Sequence, residues 1–421
     1  MDELFQTRNI ICIDLKSFFA ACECLDRGLD MYQTPLIVAD PTRGNGAITL
    51  AITPCLKKLG IKSRGRVFEI PKNIKYITAK PRMSLYIRKS KEVVDVYLNY
   101  VSSDDIHIYS IDEVFIDLTD YLNFYKLSDY EVANTILHDI EKRTGLTATC
   151  GIGPNLFLAK VAMDVEAKHN KDNIAKWTYD DVKTKLWPIT PLSKVWGIGK
   201  RTEEKLLAMG IKNIGDIANY NKSALIKKFG IIGEELWYRT NGIDLTRISD
   251  LKASPKDRSF NHSQVLYKDY FGHNIPLIIE EMSDLLATRL RSEKKLAGLV
   301  SFGLSYSKDH GGGFYHSQKL SSLTDDAKTI YNACLIMVNH YYDDEPIRKV
   351  NISLGRLSDK DSIQLNLFEE NNQVIKKDSE LNTIDEIKKR YGKNSIIKAS
   401  SLLKDSTIKE RNTKIGGHNA Q

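Results

Sequence analysis

The sequence predicts a multidomain α+β chain, and three observations predict it. At 421 residues, 42% hydrophobic and 27% charged, the chain exceeds one compact core and is too apolar for disorder, so about three domains are expected. Short apolar runs of strand length alternate with amphipathic stretches of helical length up to residue 186, and again from Ser259. Between these blocks, Trp187-Pro188-Ile189-Thr190-Pro191 marks a boundary, and short helical stretches separated by glycines follow it.

In chain order, Asn9 to Asp14 is a buried strand ending in a carboxylate, and Ser17 to Glu23 has helical character. Residues 30–77 carry turns at Asp40-Pro41, Gly44-Asn45-Gly46 and Gly65-Arg66, the mark of a small inserted subdomain. Residues 84–100 and Val132 to Arg143 read as helices. Ile106 to Tyr109 and Val114 to Leu118 read as strands around Ser110-Ile111-Asp112-Glu113. Residues 192–240 form an all-helical module. From Ser259 the pattern is strand, helix (Ile275 to Glu293), strand (Gly298 to Ser307), a turn at Gly311-Gly312-Gly313, strand, helix (Asp325 to Tyr342) and strand (Lys349 to Leu354), a compact α/β domain. Beyond about Asp359 the chain is polar, basic and poorly periodic, which predicts a flexible tail with some induced helix.

Composition excludes several classes. No run of about 18 apolar residues occurs, so a transmembrane helix is not expected, and Met1-Asp2-Glu3 has neither the basic nor the apolar region of a secretory signal. Cys12, Cys22, Cys24, Cys55, Cys150 and Cys334 contain no CxxC pair and sit mostly in apolar runs, which predicts buried thiols of a cytoplasmic protein rather than a disulfide scaffold or zinc ribbon. The net charge of +7 is a poor guide to partners. Residues 371–421 hold 11 Lys and Arg against 6 Asp and Glu, so five of the seven charges lie in the tail. A second excess is local: Lys194 to Gly230 holds eight basic residues and three acidic ones.

The chemistry is expected at three carboxylates. Asp14 ends one apolar run, while Asp112 and Glu113 lie between two others. Neighbours on a regular strand point to opposite faces, so Asp112 and Glu113 share an ion only if the chain turns there. Carboxylates gathered at a sheet edge repel and call for a cation. Two Mg²⁺ ions about 3.5–4 Å apart suit in-line phosphoryl transfer. An isolated Asp-Glu pair reads as solvated turn residues, and spacing alone does not overturn that.

The surrounding residues do. Ile13-Asp14-Leu15-Lys16-Ser17-Phe18-Phe19-Ala20-Ala21-Cys22-Glu23 and Tyr109-Ser110-Ile111-Asp112-Glu113-Val114-Phe115-Ile116-Asp117-Leu118-Thr119 resemble the two signature motifs of Y-family translesion DNA polymerases, closest to the bacterial UmuC-like branch of Gram-positive type. The resemblance covers about the first 360 residues. It implies a polymerase right hand: palm over 1–29 and 78–186, small fingers over 30–77, and a helical thumb over 187–245. An α/β little finger over 246–357 and a tail over 358–421 complete the layout. It implies catalytic carboxylates Asp14, Asp112 and Glu113, holding two Mg²⁺ ions with the carbonyl of Leu15. It implies that Phe19 is the steric gate against a ribose 2′-OH, with Phe18 in the core.

For the triphosphate, the family's Ala-Ser/Thr-Tyr-x-x-Arg segment corresponds to Ile52-Thr53-Pro54-Cys55-Leu56-Lys57. Lys57 replaces Arg, keeping charge without bidentate geometry; Pro54 replaces Tyr and donates nothing. Thr53 is a candidate hydroxyl donor. Thr149 to Ala162 resembles the family's strand, Gly turn and helix, which makes Lys160 a phosphate ligand and Asn155 a helix cap. The Gly151-Ile152-Gly153 pair lacks the third glycine of a dinucleotide fingerprint, and no GxxxxGK[ST] occurs, which argues against Rossmann and P-loop enzymes.

Val195 to Thr202, followed by Gly210 to Ile217, resembles a helix-hairpin-helix. There Gly197 and Gly199 would let a helix N-terminus approach DNA phosphate, and Lys200, Arg201 and Lys205 add salt-sensitive contacts. Arg258, Lys268 and Lys308 read equally as DNA contacts or solvated surface. Gln364-Leu365-Asn366-Leu367-Phe368 resembles the bacterial sliding-clamp peptide, with Gln364 in polar contact and Leu365, Leu367 and Phe368 in an apolar pocket. Lys388-Lys389-Arg390-Tyr391 and Ala399 to Leu403 carry no assigned role.

The resemblance therefore implies a cytoplasmic DNA-directed DNA polymerase with a monomeric core, performing error-prone translesion synthesis in an SOS-type response. Its partners would be primer-template DNA, dNTP and the sliding clamp, with no membrane. The alternative from another class is a non-catalytic clamp-tethered regulator of replication; a nucleotidyl cyclase is weaker, because the hairpin module and clamp peptide have no role there.

Overall fold

A computed structural model describes Phe5 and residues 7–252, 258–360 and 371–421, with backbone alone for residues 371–375 and 377. The chain divides into two compact units, Met1–Ala253 with His418–Gln421, and Ser254–Gly417.

The first unit opens with β1 (Ile10–Leu15) and α1 (Phe18–Asp26), then β2 (Leu36–Val38), β3 (Ala51–Ile52), α2 (Pro54–Lys58), β4 (Ile77–Ala79) and α3 (Met83–Tyr97). There follow β5 (Ile106–Ile108), β6 (Glu113–Asp117), α4 (Leu122–Tyr125), α5 (Asp129–Thr144), β7 (Ala148–Gly153), α6 (Leu156–Val165) and β8 (Ile174–Lys176). The five-stranded sheet runs β5-β6-β1-β7-β8, with β1 antiparallel to both its neighbours. Alternation along β1 divides its side chains between two layers. Ile11 and Ile13 enter the main core with Val93 of α3 and Ile136 of α5, while Ile10 and Cys12 pack with Phe115, Leu156, Ala159 and Met163. The second face therefore carries α6. Gly151 and Gly153 lie in β7 itself, not in the turn expected for them; a Cβ at either would collide with the α6 backbone at Ala159. Their role is close helix-on-strand packing.

Residues 36–79 hold the small sheet β3-β2-β4 over a core of their own, Ile37, Ala39, Ala47, Ile52, Leu56 and Ile70. The helical module comprises α7 (Lys200–Leu207), α8 (Ile214–Ala218), α9 (Lys222–Phe229) and α10 (Ile231–Thr240). Its core includes Val195, Ile198, Leu206 and Ile217. α11 (Ile248–Lys252) belongs to this unit, with Ile248 buried against the α6 face of the sheet.

The second unit contains β9 (Phe260–Tyr270), α12 (Ile275–Ser292), β10 (Lys295–Tyr306), β11 (Gly313–Thr324), α13 (Ala327–Tyr341) and β12 (Ile347–Asp359). The antiparallel sheet runs β11-β10-β12-β9, and α12 and α13 bury Ile278, Met282, Ile330 and Met337 among Val300, Phe302, Val350 and Ile352 of the strands.

From residue 371 onward the expected flexible tail is corrected. α14 (Asn371–Tyr391) is a 21-residue helix, and α15 (Ile408–Asn412) follows. Asp378 pairs with Lys360 at 2.6 Å, Asp385 with Arg291 at 2.6 Å and Asp405 with Lys268 at 2.5 Å. Lys398 bridges Glu280 and Asp284, while Ser406 and Thr407 donate to the buried Glu281. A polar composition signals disorder only when the polar groups face water; here many of them meet charges on α12 and β9. The peptide Gln364 to Phe368 lies outside the described residues. Among the described residues, no helix is long and apolar enough to cross a membrane, and all six cysteines are free thiols.

Candidate active site

The carboxylates meet because of strand register. Asp14 near the end of β1 stands opposite Glu113 at the start of β6, and residues paired across an antiparallel ladder share a face. That face is the one α6 covers. Asp112 precedes β6 in a tight turn: Tyr109 and Ser110 both donate backbone N–H groups to the Glu113 carbonyl, and Leu15 donates to the Asp112 carbonyl at 2.9 Å. The Ser110 hydroxyl holds Asp112 Oδ1 at 2.6 Å. Leu15 is itself buried. Sequence places Asp14 about 100 residues from Glu113; the ladder makes them neighbours.

Two lysines answer these charges. Lys160 Nζ on α6 lies 2.9 Å from Glu113 Oε1, and Lys168 Nζ lies 2.7 Å from Asp14 Oδ2. Asp164 joins both, at 3.0 and 2.8 Å, so cations and carboxylates alternate from Asp14 through Lys168, Asp164 and Lys160 to Glu113. Lys168 and Asp164 were missed in the sequence, although Lys160, Asp164 and Lys168 stand at successive intervals of four, the spacing at which helical side chains meet.

Electrostatically the site remains short of positive charge. Burial raises the pKa of Asp14; Lys168 works against the rise and Asp112 adds to it. Burial also raises Glu113, opposed by Lys160 and assisted by Asp14. Burial works against the charge on Lys160 and on Lys168, but neighbouring groups, Asp164 and a site carboxylate among them, hold both above their ordinary value. Lys57 on α2 is lowered by the desolvation of its ammonium, with Asp14 pulling the other way and Lys168 adding to the fall, which brings it within the field of the cluster.

The donor set of Asp14, Asp112 and Glu113 with the Leu15 carbonyl consists of hard oxygens, the chemistry a Mg²⁺ ion takes. Among the described residues no group of three or more His, Cys, Asp or Glu side chains is gathered tightly enough to hold a metal. Lys160 and Lys168 supply part of the countercharge to Asp14, Asp112, Glu113 and Asp164, and a divalent cation would supply more. The residues fit the ion in donor chemistry and charge.

Phe18 is buried at 2% exposure, while Phe19 is half-buried and stacked on Tyr86 with centroids 4.4 Å apart. Tyr86 is locked from behind. Its hydroxyl donates to the fully buried Glu23 at 2.7 Å, and Arg82 grips the same carboxylate through Nε and Nη2 at 3.0 and 2.7 Å. Thr53 is a correction. It is fully buried, and its hydroxyl accepts the Leu36 N–H at 3.0 Å, so it ties α2 to β2 and is not free to meet a phosphate. Asn155 caps α6 as expected, accepting from Leu158 N–H.

In the helical module, Val195 and Ile198 are buried while Gly197, Gly199, Lys200, Arg201 and Lys205 are exposed. Gly197 adopts φ +91, which an L side chain resists, and Gly199 precedes the first turn of α7. Beside them Trp196 reaches back to the carboxylate turn: its Nε1–H donates to the Tyr109 hydroxyl at 3.2 Å, and its ring meets Tyr109 edge-on at 5.9 Å. The exposed basic hairpin and the turn that carries Asp112 are thus joined by one side chain.

Comparison with known proteins identifies the family. Residues 13–164 match the impB/mucB/samB family, residues 179–211 the IMS family HHH motif, and residues 258–367 the impB/mucB/samB family C-terminal domain. The chain is 38% identical over 417 residues, 98% of each chain, to the putative UV-damage repair protein UvrX of Bacillus subtilis (strain 168). It is 32% identical over 419 residues to DNA polymerase IV 2 of the same organism, covering 99% of this chain and all of that one. It is 32% identical over 414 residues to DNA polymerase IV of Clostridium kluyveri, covering 95% of this chain and 99% of the relative.

Proposed function

Since this chain belongs to the impB/mucB/samB family of UmuC-like, Y-family polymerases of Gram-positive type and is a DNA-directed DNA polymerase of the translesion class, we propose that Asp14, Asp112 and Glu113 are its catalytic carboxylates. The observation that carries this is the Asp14–Glu113 pair across β1 and β6, capped by Lys160 and Lys168. The reaction joins a primer 3′-OH to the α-phosphate of a dNTP and releases pyrophosphate. Two Mg²⁺ ions, held by the three carboxylates and the Leu15 carbonyl, would stabilise the attacking oxygen and the leaving phosphates.

The chain's own groups have separable tasks. Lys160 and Lys168, long side chains held only by ion pairs, turn from carboxylate to triphosphate when the nucleotide enters, and Lys57 adds a third positive charge. Phe19, stacked on Tyr86, closes the space a ribose 2′-OH would need. Gly197, Gly199, Lys200, Arg201 and Lys205 hold DNA phosphates without reading sequence. In this reading the β5-β6-β1-β7-β8 sheet is the palm, the β3-β2-β4 subdomain the fingers, α7 to α10 the thumb and the β9 to β12 domain the little finger. Gln364, Leu365, Leu367 and Phe368 tether the enzyme to the sliding clamp, and the protein acts as a monomeric core in the cytoplasm during an SOS-type response.

Primer extension with Mg²⁺ on undamaged and abasic templates tests the assignment. Asp112→Ala and Glu113→Ala are expected to abolish extension while primer-template affinity stays within a few-fold; full activity in either variant refutes the carboxylate roles.

A further inference from the structure

Three of the tail's six acidic residues turn inward, while Glu380 and Glu386 of α14 are exposed and a basic group is left outside at the helix end. Asp378, Asp385 and Asp405 are spent on Lys360, Arg291 and Lys268, and the tail's Lys398 and Arg411 face Glu280, Asp284 and Glu281. At the end of α14, Lys389, Arg390, Tyr391 and Lys393 are exposed and Lys388 half-exposed. Among the described residues, no carboxylate lies within ion-pair distance of these four cations. The negative end of the helix dipole accounts for basic residues in its last turn. It does not account for Tyr391, which remains 66% exposed with the Arg390 guanidinium 5.4 Å from its ring centre. The cluster also has a fixed place. Lys393 stands close enough to His262 on β9 to help hold that imidazole down to about 4, behind burial and Arg411, and the Lys393 carbonyl accepts from Asn412 of α15.

We propose that Lys388, Lys389, Arg390 and Lys393, with Tyr391, form an accessory site for single-stranded DNA on the docked tail. The cations track successive phosphates and the tyrosine ring offers a face on which one unpaired base stacks, the combination that single-strand binders use without sequence preference. A duplex keeps its bases stacked on one another and cannot use the ring. The inference rests on the polymerase reading only in supplying an unpaired template strand; it involves no residue of the carboxylate site.

The test is equilibrium binding of the full chain to a fluorescent oligothymidine across a salt series. Lys389→Gln with Arg390→Gln is expected to weaken binding about tenfold at low salt and to flatten the slope of log affinity against log salt by about 1.4, at about 0.7 for each single-strand phosphate no longer neutralised. A charge-matched control, Lys404→Gln with Lys409→Gln, removes two exposed cations elsewhere on the tail and is expected to change little. Tyr391→Ala, which alters no charge, is expected to cost about fivefold or more with the slope unchanged. Unchanged affinity in the first and third variants, or an equal loss in the control, overturns the site, the latter because the effect would then be one of total charge. Primer extension by the unaltered chain keeps the two readings apart: a chain that extends primers yet binds the strand equally well in every variant loses the tail site alone.

Discussion

Two regions of this molecule pair carboxylates with hydrogen-bond donors and cations, and they do so to opposite ends. At the end of the β1–β6 ladder, Asp14 and Glu113 each face one lysine, and those lysines also serve Asp164. On α12, Glu281 is 2% exposed and receives the Ser406 hydroxyl at 2.5 Å, the Thr407 N–H at 3.2 Å and the Thr407 hydroxyl at 2.9 Å, with Arg411 at 3.7 Å. Backbone and short side chains cannot leave without unfolding the segment that carries them; a lysine can. A carboxylate held chiefly by lysines, as Asp14 is by Lys168 and Glu113 by Lys160 beside a weak Cys12 thiol donor at 3.5 Å, is arranged for exchange of partners, whereas one held by main chain and hydroxyls is a lock. Glu23, fully buried and gripped by Arg82, Arg27 and the Tyr86 hydroxyl, stands between the two cases, behind the Tyr86 ring on which Phe19 stacks.

The strongest way to break this comparison is to neutralise the exchange site. Asp14→Asn or Glu113→Gln is expected to cut primer extension by about a thousandfold or more, the worth of several kcal/mol of transition-state charge stabilisation. Stability is expected to move the other way. Both carboxylates have raised pKa values when folded, so the folded state binds protons more tightly than the unfolded one. Their contribution is favourable at low pH and is lost as pH rises from the ordinary carboxylate range through the raised values. At pH 7 the amide variants should therefore melt no lower than the parent; a clear drop in Tm would show that the site is a lock after all.

Glu281→Ala should do the reverse, costing about 3 kcal/mol, because Arg411 and the Thr407 groups lose a buried partner. Limited proteolysis should then cut between residues 392 and 414 at rates the parent does not show, and resistance equal to the parent's would deny the lock. Next in size, Phe19→Ala should raise ribonucleotide use relative to dNTP by about ten- to a hundredfold, the range a shaped apolar wall provides; an unchanged ratio rejects the gate. The smallest effect is expected from Trp196→Phe, which keeps an aromatic ring and removes the hydrogen bond to Tyr109. About 1 kcal/mol of coupling between hairpin and catalytic turn is at stake, read as a several-fold rise in the KM for primer-template with kcat nearly constant.

Local order explains what was legible in the chain. The strand at Asn9 to Asp14, the turn at Ser110 to Glu113, the helix from Leu156 and the alternation of strands and helices after Ser259 each follow from periodicity and punctuation within a dozen residues, and the carboxylates stand out because charge ends an apolar run. The interval of four linking Lys160, Asp164 and Lys168 was equally legible, being a property of one stretch of chain. Other features depended on residues far apart in sequence. Register, not spacing, set Asp14 against Glu113; contact with Ala159 turned Gly151 and Gly153 into packing positions; and contact with Leu36 took the Thr53 hydroxyl out of play. The tail shows the limit most plainly. Its composition is that of a disordered segment, and from residue 371 it is ordered because Arg291, Lys360, Glu280, Glu281 and Asp284, up to 130 residues away, present the opposite charges and the acceptors its polar groups require. Composition and period report what each segment needs, whereas only the packed chain decides whether a partner is within reach to supply it.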